Sequence, residues 1–139
     1  MSPIKSFDHV GITVADIDIV TAFFETLGFE VEGGMFMEGD FVDTVIGIPN
    51  FRSEIIGLRL PNGDTKLELS SFVRPHHEPR SPTAMSNQLG LRNVAFEVEN
   101  LQAAVDGLVG GIGEYEDIWR MAYIRGPEGI IVVLAERTD

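Results

Sequence analysis

The chain has 139 residues, 44% of them hydrophobic, no cysteine and a net charge of −12. Such a length suggests one domain with room for a buried core, and the composition is ordinary for a soluble globular protein. Lack of cysteine excludes disulfides, thiolate metal sites and a cysteine nucleophile, while the acidity weighs against nucleic acid as a partner and suits solubility or a cationic ligand. No apolar run approaches the roughly 18–20 residues needed to span a bilayer, so no membrane is expected. The N-terminus shows no basic stretch followed by an apolar one. No secretion signal is expected, and the cytoplasm is the expected compartment.

In chain order, residues 8–14 alternate, with Val10, Ile12 and Val14 on one face and His9, Gly11 and Thr13 on the other. That is the pattern of a half-buried strand. Asp16 suits a helix N-cap, the apolar stripe Ile17, Val20, Phe23, Phe24 and Leu27 follows, and Gly28 stands just past its end. Residues 29–31 are extended. Residues 33–50 are Gly-rich and irregular, with Met35, Phe36, Met37 and Phe41 among acidic residues, and read as a loop or short helix covering a cleft. Residues 54–60 and 65–72 read as strands joined by the turn Pro61-Asn62-Gly63-Asp64. In the second of these, Leu67 and Leu69 share one face and Lys66, Glu68 and Ser70 the other.

Residues 73–90, with Pro75, Pro79 and Pro82, read as a linker. It carries His76 and His77, which point opposite ways in an extended stretch and make a poor pair for one metal ion. Residues 92–98 are a strand, Asn100 a cap, and residues 101–108 a short helix followed by Gly110, Gly111 and Gly113. A helix of about two turns depends on packing rather than propensity. Residues 115–125 supply strand around Trp119, residues 126–129 a turn and residues 130–136 a last strand. The second half therefore repeats the first. FDHVGITV overlays LRNVAFEV at a constant separation of 84 residues, placing Val10 on Val94, Ile12 on Phe96, Val14 on Val98 and His9 on Asn93. Module one covers about 5–72 and module two about 91–136.

Two copies of strand–helix–three strands, opening with DHVGITV and closing with PEGIIVVLAE, resemble the vicinal oxygen chelate superfamily. Glyoxalase I, methylmalonyl-CoA epimerase, extradiol dioxygenases and bleomycin-resistance proteins belong to it. The segments DHVGITVADIDIVTAFFETLGF and YEDIWRMAYIRGPEGI are specific for the fold but do not separate activities within it. The resemblance implies an α+β fold: two tandem βαβββ modules forming a cupped eight-stranded mixed sheet, helices outside and a cleft within. In metal-dependent members four ligand positions face that cleft, one on the first and one on the last strand of each module.

His9 and Glu68 match the two positions of the first module. His9 lies opposite the apolar face and so faces the cleft, and imidazole is a common ligand for transition metals. The bland reading of Glu68 is a solvated carboxylate on the polar side of an amphipathic strand. The second module departs: Asn93 offers a weak neutral oxygen, and Val133 has no donor. The expected metal residues are therefore His9, Glu68 and Asn93, with nickel, zinc, cobalt, manganese or iron as the ion, or no cofactor at all. This falls short of two histidines and a carboxylate, a minimal catalytic set, so lactoylglutathione lyase activity is not expected. Glu97 shares a face with Asn93 and Ala95. It can stand in for the lost carboxylate, leaving Glu68 and Glu97 as the groups that move a proton, or it is a rim carboxylate.

Tyr123 and Arg125 share a face with Met121, and Arg120 shares the other with Ala122 and Ile124. Tyr123, Arg125 and Trp119 are the expected substrate residues, arginine taking a carboxylate or phosphate and tyrosine stacking on a ring; ordinary cross-strand pairing is the alternative. Two functions stay open. One is a divergent metal-assisted lyase or isomerase acting on a small oxygen-rich compound or thioester. The other is a metal-free small-molecule binding protein of the bleomycin-resistance type. The resemblance also implies a homodimer.

Overall fold

In the computed structural model, which describes residues 3–139, the opening alternation becomes β1 (Val10–Thr13). Then follow α1 (Ile17–Thr26), β2 (Glu30–Glu38), α2 (Asp40–Ile46), β3 (Arg52–Arg59) and β4 (Lys66–Arg74). They form a mixed sheet in the order β1-β4-β3-β2, with β1 parallel to β4 and the other pairs antiparallel. The helix starts where its cap is: Asp16 Oδ1 accepts from the Ile19 N–H at 3.1 Å. Its stripe is buried through Ile17, Val20 and Phe24, and α1 packs on β4, β3 and β2. Phe24 meets Phe23 and Phe29 edge-on at 5.1 and 5.5 Å between centroids. Leu58, Leu67 and Leu69 complete this core, and burying each such side chain contributes about 1.5–3 kcal/mol. The opposite face of the sheet carries His9, Gly11 and Glu68.

Residues 33–38, expected as irregular, continue β2. Gly33 and Gly34 pair with Gly57 and Ile56 of β3, after a bulge that follows Val31. The ladder overrides the weak strand propensity of glycine, since pairing and not intrinsic preference decides a strand. The short helix expected in this region is α2, which ends at Gly47 in the left-handed region (φ 81°).

The second module holds β5 (Val94–Glu97), a 3-10 turn (Leu101–Ala104), β6 (Gly113–Tyr115), β7 (Trp119–Arg125), a second 3-10 turn (Pro127–Gly129) and β8 (Ile131–Arg137). Its sheet order is β5-β8-β7-β6, again with the first strand parallel to the last. The expected helix over 101–108 is not formed; a single 3-10 turn stands in its place. The chain beyond it pairs with the edge of β7 instead. Arg125 N–H donates to the Gly107 carbonyl and Val109 N–H to the Tyr123 carbonyl, each at 2.8 Å. Leu101 is fully buried where the turn meets β7 and β8.

The chain divides into two compact units, one ending at Pro79 and the other Arg80–Asp139. The expected linker is thus shared out. β4 runs on through Arg74, while residues 80–90 pack within the second unit, where Arg92 Nε donates to the Met85 carbonyl at 3.1 Å. The fold is α+β, two tandem modules whose eight strands lie four to a sheet. Among the described residues no helix is long and apolar enough to cross a membrane.

Candidate functional site

The register of the first sheet explains how its open face is furnished. Glu68 of β4 has Gly11 of β1 on one side and Gly57 of β3 on the other, and Gly33 of β2 extends the row. Glycine inside a strand marks a place where something approaches the backbone closely. Added Cβ atoms at Gly11 and Gly33 would meet nothing within 4 Å, and one at Gly57 only the Gly33 carbonyl at 3.9 Å. Glu68 therefore stands clear of its strand neighbours. His9, just before β1, brings Nε2 to 3.6 Å from Glu68 Oε2. Their side chains are 38% and 39% exposed, so a solute can reach both.

A pocket of about 180 Å³ lies here, its wall including Asp8, His9, Glu32, Gly57, Lys66 and Glu68. The charges around it are largely paired. Lys66 Nζ is 3.7 Å and Arg59 Nε 3.9 Å from Glu32. His9 Nδ1–H donates to Asp8 Oδ2 at 2.6 Å. That bond, with the imidazole charge second, holds the Asp8 carboxyl below the usual carboxylate range. Asp8 and Glu32 were not reached from the sequence, and Lys66 was read only as sharing the face of Glu68. Asp8 neighbours His9 in sequence, and strand alternation sends neighbours to opposite faces; but the two residues precede β1, so the alternation does not bind them. Glu32 sits in the bulge of β2, which periodicity cannot foresee.

Asn93 immediately precedes β5 and is exposed, as are Ala95 and Glu97 on the same face. The register makes Val133 the counterpart of Glu68: Gly11 pairs with Glu68 in the first sheet and Ala95 with Val133 in the second. Val133 is buried and offers only carbon. Tyr123 lies beside Val133 in the ladder and is exposed. Arg125 is engaged by its own module: Nη1 donates to the Pro82 and Gly129 carbonyls at 3.3 and 3.4 Å, and Nη2 lies 3.4 Å from the Met85 sulfur. Trp119 has the Arg137 guanidinium 5.1 Å from its ring centroid, and Arg137 also pairs with Asp139 at 2.7 Å. Glu116 and Asp117 leave the sheet to form the β6–β7 turn, both with positive φ. His76 and His77 stand edge-on, 6.3 Å apart.

Of the residues expected to ligate a metal, the structure brings His9 and Glu68 together. No group of three or more histidine, aspartate or glutamate side chains able to hold a metal occurs among the described residues. Imidazole nitrogen and carboxylate oxygen bind zinc-class ions at about 2.0–2.2 Å, so two donors 3.6 Å apart can reach one ion. The pair fits such a group as part of a coordination shell.

Two four-stranded mixed sheets in tandem, each with its first strand laid parallel to its last, define the class of paired βαβββ-type proteins. This chain belongs to the glyoxalase/bleomycin resistance protein/dioxygenase superfamily, whose family model matches residues 6–134. It is 35% identical to a glyoxalase family protein from Bacillus cereus, over 100% of this chain and 99% of that one, with a TM-score of 0.89. A glyoxalase/dioxygenase from Nostoc punctiforme shares the fold at 17% identity, 100% and 97% coverage and a TM-score of 0.69. So does an antibiotic binding protein from a Streptomyces species, at 16% identity, 99% coverage of both chains and a TM-score of 0.61. No curated protein matches the chain.

Proposed function

We propose that the chain is a divergent metal-assisted lyase or isomerase that takes a small oxygen-rich molecule against the open face of its first sheet. One observation carries this reading: His9 Nε2 and Glu68 Oε2 converge to 3.6 Å at the wall of a pocket. A purely apolar pocket needs neither group. His9 and Glu68 would hold the divalent ion. When bound, such an ion polarises a carbonyl or enolate oxygen. Glu68 is the carboxylate that holds or moves a proton there, and Glu97 is the alternative for that role. Lys66 on the pocket wall supplies positive charge for an anionic end of the substrate. The reading includes a cytoplasmic homodimer.

A second reading has its own support. Val133 leaves the second module without a carboxylate at the place corresponding to Glu68, which suits a metal-free binding protein, and the Streptomyces relative of the same fold binds an antibiotic. Calorimetry in metal-free buffer separates the two. The enzyme reading expects nickel, zinc, cobalt or manganese to bind, His9→Ala to abolish the binding and Asn93→Ala to weaken it little. No binding tighter than about millimolar, or −4 kcal/mol, with an unchanged Tm, sinks the metal reading in favour of the second.

A further inference from the structure

In FDHVGITV an aspartate precedes the histidine. At the same separation of 84 residues the second module has Arg92 before Asn93, so both members of the pair change together. Arg92 serves the packing of its module, donating through Nε to the Met85 carbonyl. Asp8 does not: its side chain is 86% exposed, and its carboxylate is turned onto His9 Nδ1 at 2.6 Å. A residue standing in solvent contributes little to a core, yet this one is directed at the one histidine of the pocket.

We propose that Asp8 is a positioning residue that acts through His9: by accepting from Nδ1 it fixes the imidazole proton there and leaves the Nε2 lone pair facing the Glu68 carboxylate, so that the pair takes a divalent cation. A neutral imidazole carries one proton, and the hydrogen bond made by one nitrogen decides the role of the other. Free in water the proton prefers Nε2, the tautomer that cannot ligate through that atom. A carboxylate can only accept, so Asp8 selects the opposite tautomer. Glu68 is acceptor-only as well when ionised. Two acceptors then converge at 3.6 Å, and a cation between them satisfies both. Carboxylate-to-histidine bonds of this kind orient metal ligands and raise their basicity. In the second module neither half of the device survives, because an amide has no such tautomers and a guanidinium only donates.

The identity of the cation rests on the metal-assisted reading; the tautomer does not. The test therefore has two arms. In metal-free protein at about pH 9, above the ordinary histidine range, nitrogen-detected spectra of the imidazole are expected to show the Nδ1–H tautomer. Asp8→Ala should shift the population toward Nε2–H while the amide fingerprint is preserved. In calorimetry with zinc alone, Asp8→Ala should lose about 10–100-fold in affinity. An Nε2–H tautomer in the parent protein, or the same tautomer in both proteins, overturns the proposal, as does equal zinc affinity. Failure of the parent to bind zinc sinks the metal reading and with it the cation assignment, while the spectra still decide what Asp8 does to His9.

Discussion

His9 Nε2 and Glu68 Oε2 meet at 3.6 Å on the open face of the first sheet; with the His9 proton held on Nδ1, as proposed, they are two acceptors that repel each other unless something positive lies between them. At the level of residues, strand parity foresaw that Glu68 and His9 share a face, and the structure brings them to that distance. The part of Asp8 was not legible, because its contact arises in the irregular backbone ahead of β1. Its carboxyl is held below the usual carboxylate range by His9, and the sign of the consequence is definite. A depressed folded value contributes stability at pH above the ordinary carboxylate range, and the contribution is lost as pH falls through the depressed value. Carbon-detected titration should place the Asp8 midpoint below the ordinary value, and His9→Ala should return it there. An unchanged midpoint in that variant means the bond is not kept in solution. Arg125, expected as a substrate residue, donates through Nη1 to the Pro82 and Gly129 carbonyls of its own module, contacts that strand parity does not display.

At the level of elements, helix α1 follows its cap and stripe closely, whereas the matching helix of the second module is absent. Eight residues of suitable composition lost to two backbone hydrogen bonds at the edge of β7, because a helix of two turns gains little by itself. The glycines separate close approach from open space. An added Cβ at Gly129 would lie 2.6 Å from the Pro82 carbonyl oxygen, at a φ of 79°. Gly129→Ala is therefore expected to cost about 1–3 kcal/mol in urea unfolding. Gly57→Ala, with its nearest neighbour at 3.9 Å and no positive φ, should leave stability equal or raised by up to about 1 kcal/mol. Equal costs at the two sites would show that the close approach of residues 80–90 to the second sheet is not maintained.

At the level of the whole molecule, each unit buries its own sheet and keeps its own charge pairs, and the chain carries a net charge of −12. The proposed homodimer has to bring two such acidic chains together. Self-repulsion of that size is screened by salt, with a Debye length near 8 Å at physiological ionic strength. Sedimentation at micromolar concentration is expected to show a dimer whose population grows with added salt. A monomer throughout that range defeats the dimer.

Periodicity is a local property, and it alone determined the tandem repeat, the faces of β1, β4 and β5 and the cap and stripe of α1, since alternation and helical spacing report which side is buried; the choice of His9 and Glu68 as candidate ligands came from the family resemblance, with parity in agreement. Only the tertiary structure decided the rest. Cross-strand pairing turned a glycine-rich stretch into β2 and an expected helix into an edge, drew residues 80–90 into the second unit and set Glu68 between two glycines. Those outcomes depend on partners far away in sequence, whose hydrogen bonds outweigh the small local preferences that a sequence displays.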